Sequence, residues 1–407
     1  MNFLFAWRYF KAKKSTNAIN IISWISILAI LVGAAALILV LSVFNGFEDL
    51  VKGLYSSFYP DMRVAPVSGK QITLTAEQLA RLRGVPGVAA VAGTLEEKAL
   101  LQNGDYQSII YLKGVEESYR QVSGVPAHML RGEFNLGSAE QPLLVLGAGV
   151  ENAVGVQSDR NIVPLLVHLP NKSAVEVSSP LNSISADTVN TSGAFLIQQD
   201  FDNKYVLTHI GFMRAMMGIP EGSYSALEIA LRPGTEPLDA QKALQSVLGK
   251  GYQVQTRYEQ NASLYAVMRA EKWVIYAILS LILVVAAFNM IGSLTMLVLE
   301  KKADITVLHA LGADARRIRS IFVSEGLLLA LIGGGAGILL ALGLALAQIK
   351  YKLIPLAGGS FLIDYFPVKL DPWDFLLVAV TILVIALVAA WVPARKAAQQ
   401  QFGFREE

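Results

Sequence analysis

Four long apolar runs divide the chain. They occupy residues 19–46, 271–299, 321–349 and 372–393, and each is long enough to cross a bilayer as a helix, which takes roughly 20 apolar residues. Charged residues crowd between the runs rather than inside them. The pattern predicts four transmembrane helices, with an amphipathic N-terminal segment at 1–18, a loop at 300–320, a second loop at 350–371 and a tail at 394–407. Between the first and second runs, residues 47–270 contain nothing apolar enough to span. That insert, of roughly 220 residues, is large enough for one or two soluble domains.

The two ends of the insert read alike. Around Thr75 the chain runs T-A-E-Q-L-A-R-L-R-G-V-P-G-V, a capped helix, a glycine turn and a strand. From Leu238 it runs L-D-A-Q-K-A-L-Q-S-V-L-G-K-G-Y-Q-V, the same order, with Asp239 as the expected N-cap. Two such units at opposite ends predict an α+β layer assembled from both halves. Between them, residues 141–210 carry short Val- and Leu-rich runs broken by P-N-K-S, S-S-P-L-N-S and N-T-S-G, the pattern of strands and turns. R-Y-E-Q-N at 257–261 is expected to open a helix that continues directly into the second span.

Composition narrows the class. With 54% hydrophobic residues and a mean hydropathy of +0.47, the chain is too apolar for an ordinary soluble protein. A formal net charge of +2 implies no general affinity for nucleic acid. There is no cysteine, which excludes disulfides, thiolate metal sites and a lipidated Cys. Arg8, Lys11, Lys13 and Lys14, with Trp7 and Tyr9, precede the first run, and Lys301, Lys302, Arg316, Arg317 and Arg319 lie in the 300–320 loop. Short Lys- and Arg-rich segments stay in the cytoplasm, so both termini are expected inside and the insert outside. The first run is far longer than a signal-peptide core and reads as a retained anchor.

Several chemistries are missing. No G-x-x-x-x-G-K-[ST] occurs: Gly69-Lys70 is followed by Gln71 and Gly249-Lys250 by Gly251. No H-E-x-x-H or G-x-S-x-G occurs, and His128, His168 and His209 read as ordinary surface or packing residues. No catalytic, cofactor-binding or metal-binding residue is therefore expected in this chain.

Inside the 300–320 loop, Ile305, Leu308 and Leu311 recur at helical spacing, with Gly312 suited to close the helix and Asp314 to cap the next. A basic loop alone explains the charges but not this apolar face or its caps. The run A-L-G-A at 310–313 resembles the coupling segment of the four-helix ABC permeases, the superfamily of MacB-type exporters, FtsX-type cell-division subunits and lipoprotein-releasing permeases. Asp304 stands where that pattern has Glu, and His309 where it usually has a base. The resemblance implies docking of a separate ATPase through Glu300, Lys301, Asp304, Ile305, Leu308, Leu311, Gly312 and Ala313. At the end of the first run, L-S-V-F-N-G-F-E (41–48) resembles the LolC and LolE branch, with Phe44 where Met is more usual. P-A-R-K-A-A at 393–398 is similar to the superfamily's ending. Read from the residues alone, Asn45 and Gly46 mark a helix end at the outer surface, Phe47 is interfacial, and Glu48 with Asp49 begins a solvated continuation.

The resemblance implies an α-helical integral membrane protein with four transmembrane helices and a large extracytoplasmic α+β insert, porter-like with a β-rich subdomain. It further implies a permease subunit that extracts acylated lipoproteins from the outer leaflet of the bacterial inner membrane and passes them to a periplasmic carrier. Four spans are too few to enclose a path. A second permease chain, identical or paralogous, and two cytosolic ABC ATPase subunits carrying ATP and Mg are thus the expected partners, besides membrane lipid. Leu37, Val40, Leu41, Phe44, Asn45 and Phe47 with Val274, Ile278 and Leu281 are expected to line an acyl cavity, although plain helix packing or bulk lipid is an open reading of each. Gly333, Gly337, Ala341 and Ala345, spaced i, i+4, are expected to let helices approach closely. Glu325, costly in lipid, should face protein or the polar boundary. Two alternatives stay open: an FtsX-type transducer controlling an external hydrolase, and a MacB-type exporter subunit.

Overall fold

The computed structural model describes residues 17–160, 164–171, 184–356 and 363–399. The basic N-terminal segment, the P-N-K-S and S-S-P-L-N-S turns from residue 172 on, and the C-terminal tail from residue 400 lie outside them. In chain order the elements are α1 (Asn17–Phe58), β1 (Met62–Pro66), β2 (Ile72–Thr73), α2 (Ala76–Arg83), β3 (Val88–Asn103), β4 (Tyr106–Val115), β5 (Met129–Gly132), β6 (Leu143–Gly147), α3 (Ala148–Ala153), β7 (Leu165–Pro170), β8 (Ile184–Phe195), α4 (Gln199–Asp202), β9 (Tyr205–His209), α5 (Ile210–Met217), β10 (Ser223–Tyr224), β11 (Ala226–Leu231), α6 (Pro237–Leu248), β12 (Tyr252–Thr256), α7 (Arg257–Gln260), α8 (Ala262–Glu300), α9 (Lys302–Ala310), α10 (Ala315–Tyr351) and α11 (Pro372–Gln399). Two short 3-10 turns fall between β4 and β5. The chain divides into a helical unit and an insert unit, the latter covering 51–265.

In the helical unit, α1, α8, α10 and α11 are each long and apolar enough to cross a membrane. Their shared core runs from Ile27, Ala34 and Leu41 through Leu283, Met290 and Leu329 to Ile382 and Ala390. Small residues set the spacing. A Cβ at Gly333 would stand 2.7 Å from the Ile27 carbonyl oxygen, and one at Gly337 2.5 Å from that of Leu31, so α10 lies against α1 backbone to backbone. Ala341 and Ala345 on the same face are also buried. Gly326 and Gly334 instead make room for the side chains of Ala390 and Ile382 of α11. Two polar ties add to this packing: Ser23 and Ser293 hydroxyls at 3.1 Å between α1 and α8, and Tyr276 and Thr381 hydroxyls at 2.5 Å between α8 and α11.

The helix end expected at Asn45–Gly46 is not there. α1 runs on without a break to Phe58. Gly46 stays helical, and its missing side chain serves a different purpose: a Cβ there would be 2.3 Å from the Pro367 carbonyl oxygen.

In the insert, β1 sits between β12 and β11, with β11 next to β3, all antiparallel. One sheet edge is thus built from both ends of the insert. β3 and β4 form a long hairpin turned at Gly104, whose φ of +55° suits a glycine. The sheet continues through β4, β9, β6, β8 and β5, with parallel steps at β4–β9 and β6–β8, while β7 bridges β3 and β8. Thr75 caps α2 in a reciprocal box with Gln78. Asp239 does not cap α6. That helix starts at Pro237 behind Glu236, because proline's fixed φ suits the first helical position, and Asp239 falls in the first turn. A second box, Thr256 with Glu259, starts α7. α7 ends at Asn261 (φ −122°) before α8 begins, so 257–261 does not open one continuous helix.

Candidate coupling helix and outer helix ends

α9 joins α8 to α10 as a separate short helix. Its C-terminus closes in a Schellman arrangement: Ala313 N–H donates to the Leu308 carbonyl at 2.9 Å and Gly312 N–H to the His309 carbonyl at 2.9 Å. Gly312 has φ +86°, which an L side chain resists. Asp314 stands at the N-cap of α10 in extended conformation, but its side chain makes no capping bond. The apolar positions of α9 divide. Ile305 is 1% exposed and belongs to the core of the helical unit, so it anchors α9 rather than facing a partner. Leu308 is half-buried, whereas Val307 (58%) and Leu311 (78%) are open. Ala313 packs partly against the core. Lys301 pairs with Asp304 at 3.5 Å, and the Arg319 guanidinium lies 4.8 Å from the Trp391 ring centre. Glu300 ends α8 half-exposed, and Glu325 is buried in α10, on the protein side.

At the other end of the bundle the expected acyl-cavity residues also separate. Leu37 and Leu41 are fully buried in the helical core. Val40 is 39% exposed, and Val274, Ile278 and Leu281 are each more than half exposed on α8. Phe44 is half-buried. These residues do not converge on one surface.

Asn45 and Phe47 belong elsewhere. The Asn45 amide donates to Asp374 Oδ2 at 2.6 Å, and its carbonyl oxygen accepts from Lys272 Nζ at 2.9 Å. Lys272 Nζ also lies 3.0 Å from Asp374 Oδ1. Phe47 meets Phe366 edge to face at 5.9 Å. Lys369 N–H donates to the Ser42 carbonyl at 2.9 Å, and its ammonium pairs with Asp49. Residues 41–49 therefore form a seat for the segment 366–374. Sequence reasoning missed Lys272, Asp374 and Val307. The available signal was that Lys272 and Asp374 are the charges nearest the apolar cores of their runs, where a charge in lipid must find a partner.

The insert holds a second buried charge pair. Lys113 Nζ is 2.7 Å from Glu228 Oε1, donates to the Tyr119 hydroxyl at 3.3 Å, and lies 5.0 Å from the ring centres of Phe58 and Tyr119. Burial pulls the lysine toward neutrality, but Glu228, Tyr119 and Glu96 outweigh it and hold the ammonium above the usual lysine range. Burial also raises the Tyr119 phenol. Asp202 is pushed up to about 6 by burial, against the opposing pull of backbone N–H groups of Ile197 and Gln198. Among the described residues no cluster of three or more His, Asp or Glu could hold a metal ion.

Residues 23–247, more than half the chain, match the MacB-like periplasmic core domain family, and residues 276–402 match the FtsX-like permease C-terminal family. The chain is 27% identical over 417 residues to the lipoprotein-releasing system transmembrane protein LolC of Neisseria meningitidis serogroup B, covering 97% of each. It is 26% identical to the lipoprotein-releasing system transmembrane protein LolE of Haemophilus influenzae, covering 98% of this chain and 97% of that one. It is 22% identical to the pyoverdine export ATP-binding/permease protein PvdT of Pseudomonas syringae pv. syringae, where it spans 97% of this chain and 57% of the relative. Among solved structures, the periplasmic region of MacB from Actinobacillus actinomycetemcomitans is similar with a TM-score of 0.38 and 11% identity, over 53% of this chain and 98% of that one. The chain belongs to the MacB-like periplasmic core domain family, carries an FtsX-like permease C-terminal match, and is similar over nearly its whole length to LolC and LolE proteins.

Proposed function

We propose that this chain is a permease subunit of an ATP-driven ABC complex that extracts lipoproteins from the outer leaflet of the inner membrane and hands them to a periplasmic carrier. The observation that carries this is the end-to-end likeness to lipoprotein-releasing LolC and LolE, which favours that role over a FtsX-type transducer or a MacB-type exporter. The protein is a multi-pass inner-membrane protein with a periplasmic core domain; both termini and α9 lie in the cytosol. ATP and Mg belong to two separate ATPase subunits, since the sequence holds no phosphate-binding loop of its own. A second permease chain completes the path.

The ATPase groove takes Leu308, Leu311 and the newly found Val307, with Gly312 and Ala313 fixing the turn behind them. Glu300, Lys301 and Asp304 supply the charged rim, while Ile305 holds α9 to the bundle. Acyl chains follow the open apolar face of α8 (Val274, Ile278, Leu281) and Val40 of α1 with Phe44 beside it. Leu37 and Leu41 support that face from behind. Such a surface is necessary because each CH₂ brought into water costs about 0.8 kcal/mol.

The test uses the chain expressed with its partner subunits. Val307→Asp with Leu311→Asp should abolish co-purification of the ATPase and leave lipoproteins in the inner membrane, with membrane insertion of the chain unchanged. Full ATPase binding by this variant refutes the docking face. Normal lipoprotein sorting in cells lacking the chain, with no paralogue present, refutes the function.

A further inference from the structure

The outer part of α8 is held unlike the rest of the bundle. From residue 266 to 282 no residue is buried, and only Tyr276 and Leu279 pack partly on the core. The helix enters the core fully at Leu283 and stays there through Ala286, Ala287, Met290, Leu294 and Leu297. Some four turns of helix thus stand against the bundle with little apolar contact. Polar ties hold this stretch, among them Tyr276 to Thr381, and Lys272 to Asn45 and Asp374.

The second tie is a closed ring. Lys272, Asn45 and Asp374 each bond to both of the others, and the Asp374 side chain is only 8% exposed. An ion pair at this depth loses much of its Coulomb gain to desolvation, and well-packed apolar residues often serve stability equally well. What the pair offers instead is a contact with two distinct states. Closed, it is fully satisfied. Open, Lys272 with its long stem reaches water or headgroups at the helix end. The ring is either made or broken.

We propose that the Asn45–Lys272–Asp374 ring is a latch that closes the outer half of α8 onto α1 and α11, and that it opens during the ATP-driven cycle to part α8 from α1. The opening pivots near Leu283, where apolar burial begins, and uncovers the bundle-facing side of α8 at Tyr276 and Leu279, the side opposite the already exposed Val274, Ile278 and Leu281. This rests on the lipoprotein-release reading only for what passes through the opening.

Two experiments separate the latch from that reading, both on the chain assembled with its partner subunits. The chain has no cysteine, so spin labels at Val40→Cys and Val274→Cys report one distance. Under ATP turnover the distance should lengthen or broaden, and Lys272→Met, or Lys272→Met with Asp374→Leu where the single variant misassembles, should give the open distribution without nucleotide. An unchanged distribution in both cases overturns the latch whatever the substrate is. In the second experiment, Asn45→Cys with Lys272→Cys is bridged by a bis-methanethiosulfonate crosslinker, whose length replaces the reach of the lysine stem. Lipoprotein release should stop in the crosslinked form and return when reduction cleaves the bridge, with each single cysteine variant insensitive to the reagent. Equal release in crosslinked and cleaved forms overturns the requirement for opening. A distance change under turnover with no lipoprotein released by any form upholds the latch and refutes the release function.

Discussion

Removing one member of the Lys113–Glu228 pair should loosen the insert far more than removing both. The ammonium sits 2.7 Å from the carboxylate, with side chains 3% and 5% exposed, between the rings of Phe58 and Tyr119. Glu228→Ala leaves a buried lysine with only a phenol at 3.3 Å as hydrogen-bond partner. Breaking such a pair costs about 3–5 kcal/mol. Replacing both partners, as Lys113→Met with Glu228→Leu, keeps apolar volume against the rings and should cost within about 1 kcal/mol of nothing. The two singles and the double therefore form a cycle with a large coupling energy. Hydrogen exchange on the full chain measures it, read on amides of β4 and β11, which carry the two residues. At about 1.4 kcal/mol per decade, Glu228→Ala should speed exchange there by about a hundredfold or more, and the double variant by less than tenfold. If the double exchanges as fast as the single, the cost lies in lost packing and the charge argument is wrong. The pair's raised lysine pKa contributes stability that is complete below the ordinary lysine range and is lost only as pH climbs through the still higher folded value. No change in this contribution is expected between pH 6 and 8.

Gly337→Ala should lower the thermal midpoint of the detergent-solubilised chain, because its Cβ meets the Leu31 carbonyl at 2.5 Å and forces α10 off α1, at a cost of about 1–3 kcal/mol. Gly335→Ala, with open space at its Cβ, should change it little; equal losses at both positions would count against the packing account. Asp202, raised to about 6 from an ordinary 3.8, favours the folded insert in its neutral form. Its contribution is complete below about pH 4 and lost as pH rises through about 6, so proteolytic resistance around α4 should fall over that window in wild type and stay flat in Asp202→Asn. A cysteine at Gln107, exposed on the β3–β4 hairpin, should react with a membrane-impermeant maleimide once the periplasm is reached; reaction only after the inner membrane is opened would invert the assigned orientation. Ser179, an obvious choice on sequence grounds, lies outside the described residues.

The four helices were legible because apolar runs of spanning length have few alternatives, and the capped start of α2 because Thr75 and Gln78 carry the whole of that box within four residues. Boundaries were less legible where a residue has two uses. Asn45–Gly46 has the composition of a helix end, yet the glycine admits the Pro367 backbone and the asparagine bonds Lys272 and Asp374. Those partners lie more than 220 residues away in sequence, so no local pattern could separate the two readings. Asp239 was displaced as a cap by Pro237, whose preference for the first helical position acts two residues earlier. On α9, helical spacing grouped Ile305 with Leu308 and Leu311, but periodicity gives only one stripe and says nothing of which neighbour covers it. The bundle covers Ile305, leaving Val307 and Leu311 open.

The same division governs the outer helix ends. A segment rich in apolar residues beside an Asn and a Gly has the composition of a substrate-facing surface, yet most of it faces inward. Ser42, Asn45, Gly46, Phe47 and Asp49 each hold a member of the segment 366–374 or Lys272. This arrangement fixes α1 to α11 and to the segment before it through backbone, ring and charge contacts at once, so α1 is the anchored side of any opening at this end. Between residues 266 and 282 of α8 no residue is buried. A helix held by a few polar ties moves before one held by a packed backbone, because breaking a satisfied polar contact near water returns its groups to solvation, whereas pulling apart close-packed helices opens a void with no compensating contacts. The mobile element is therefore α8, and the specific motif on α1 provides the fixed jamb against which it moves.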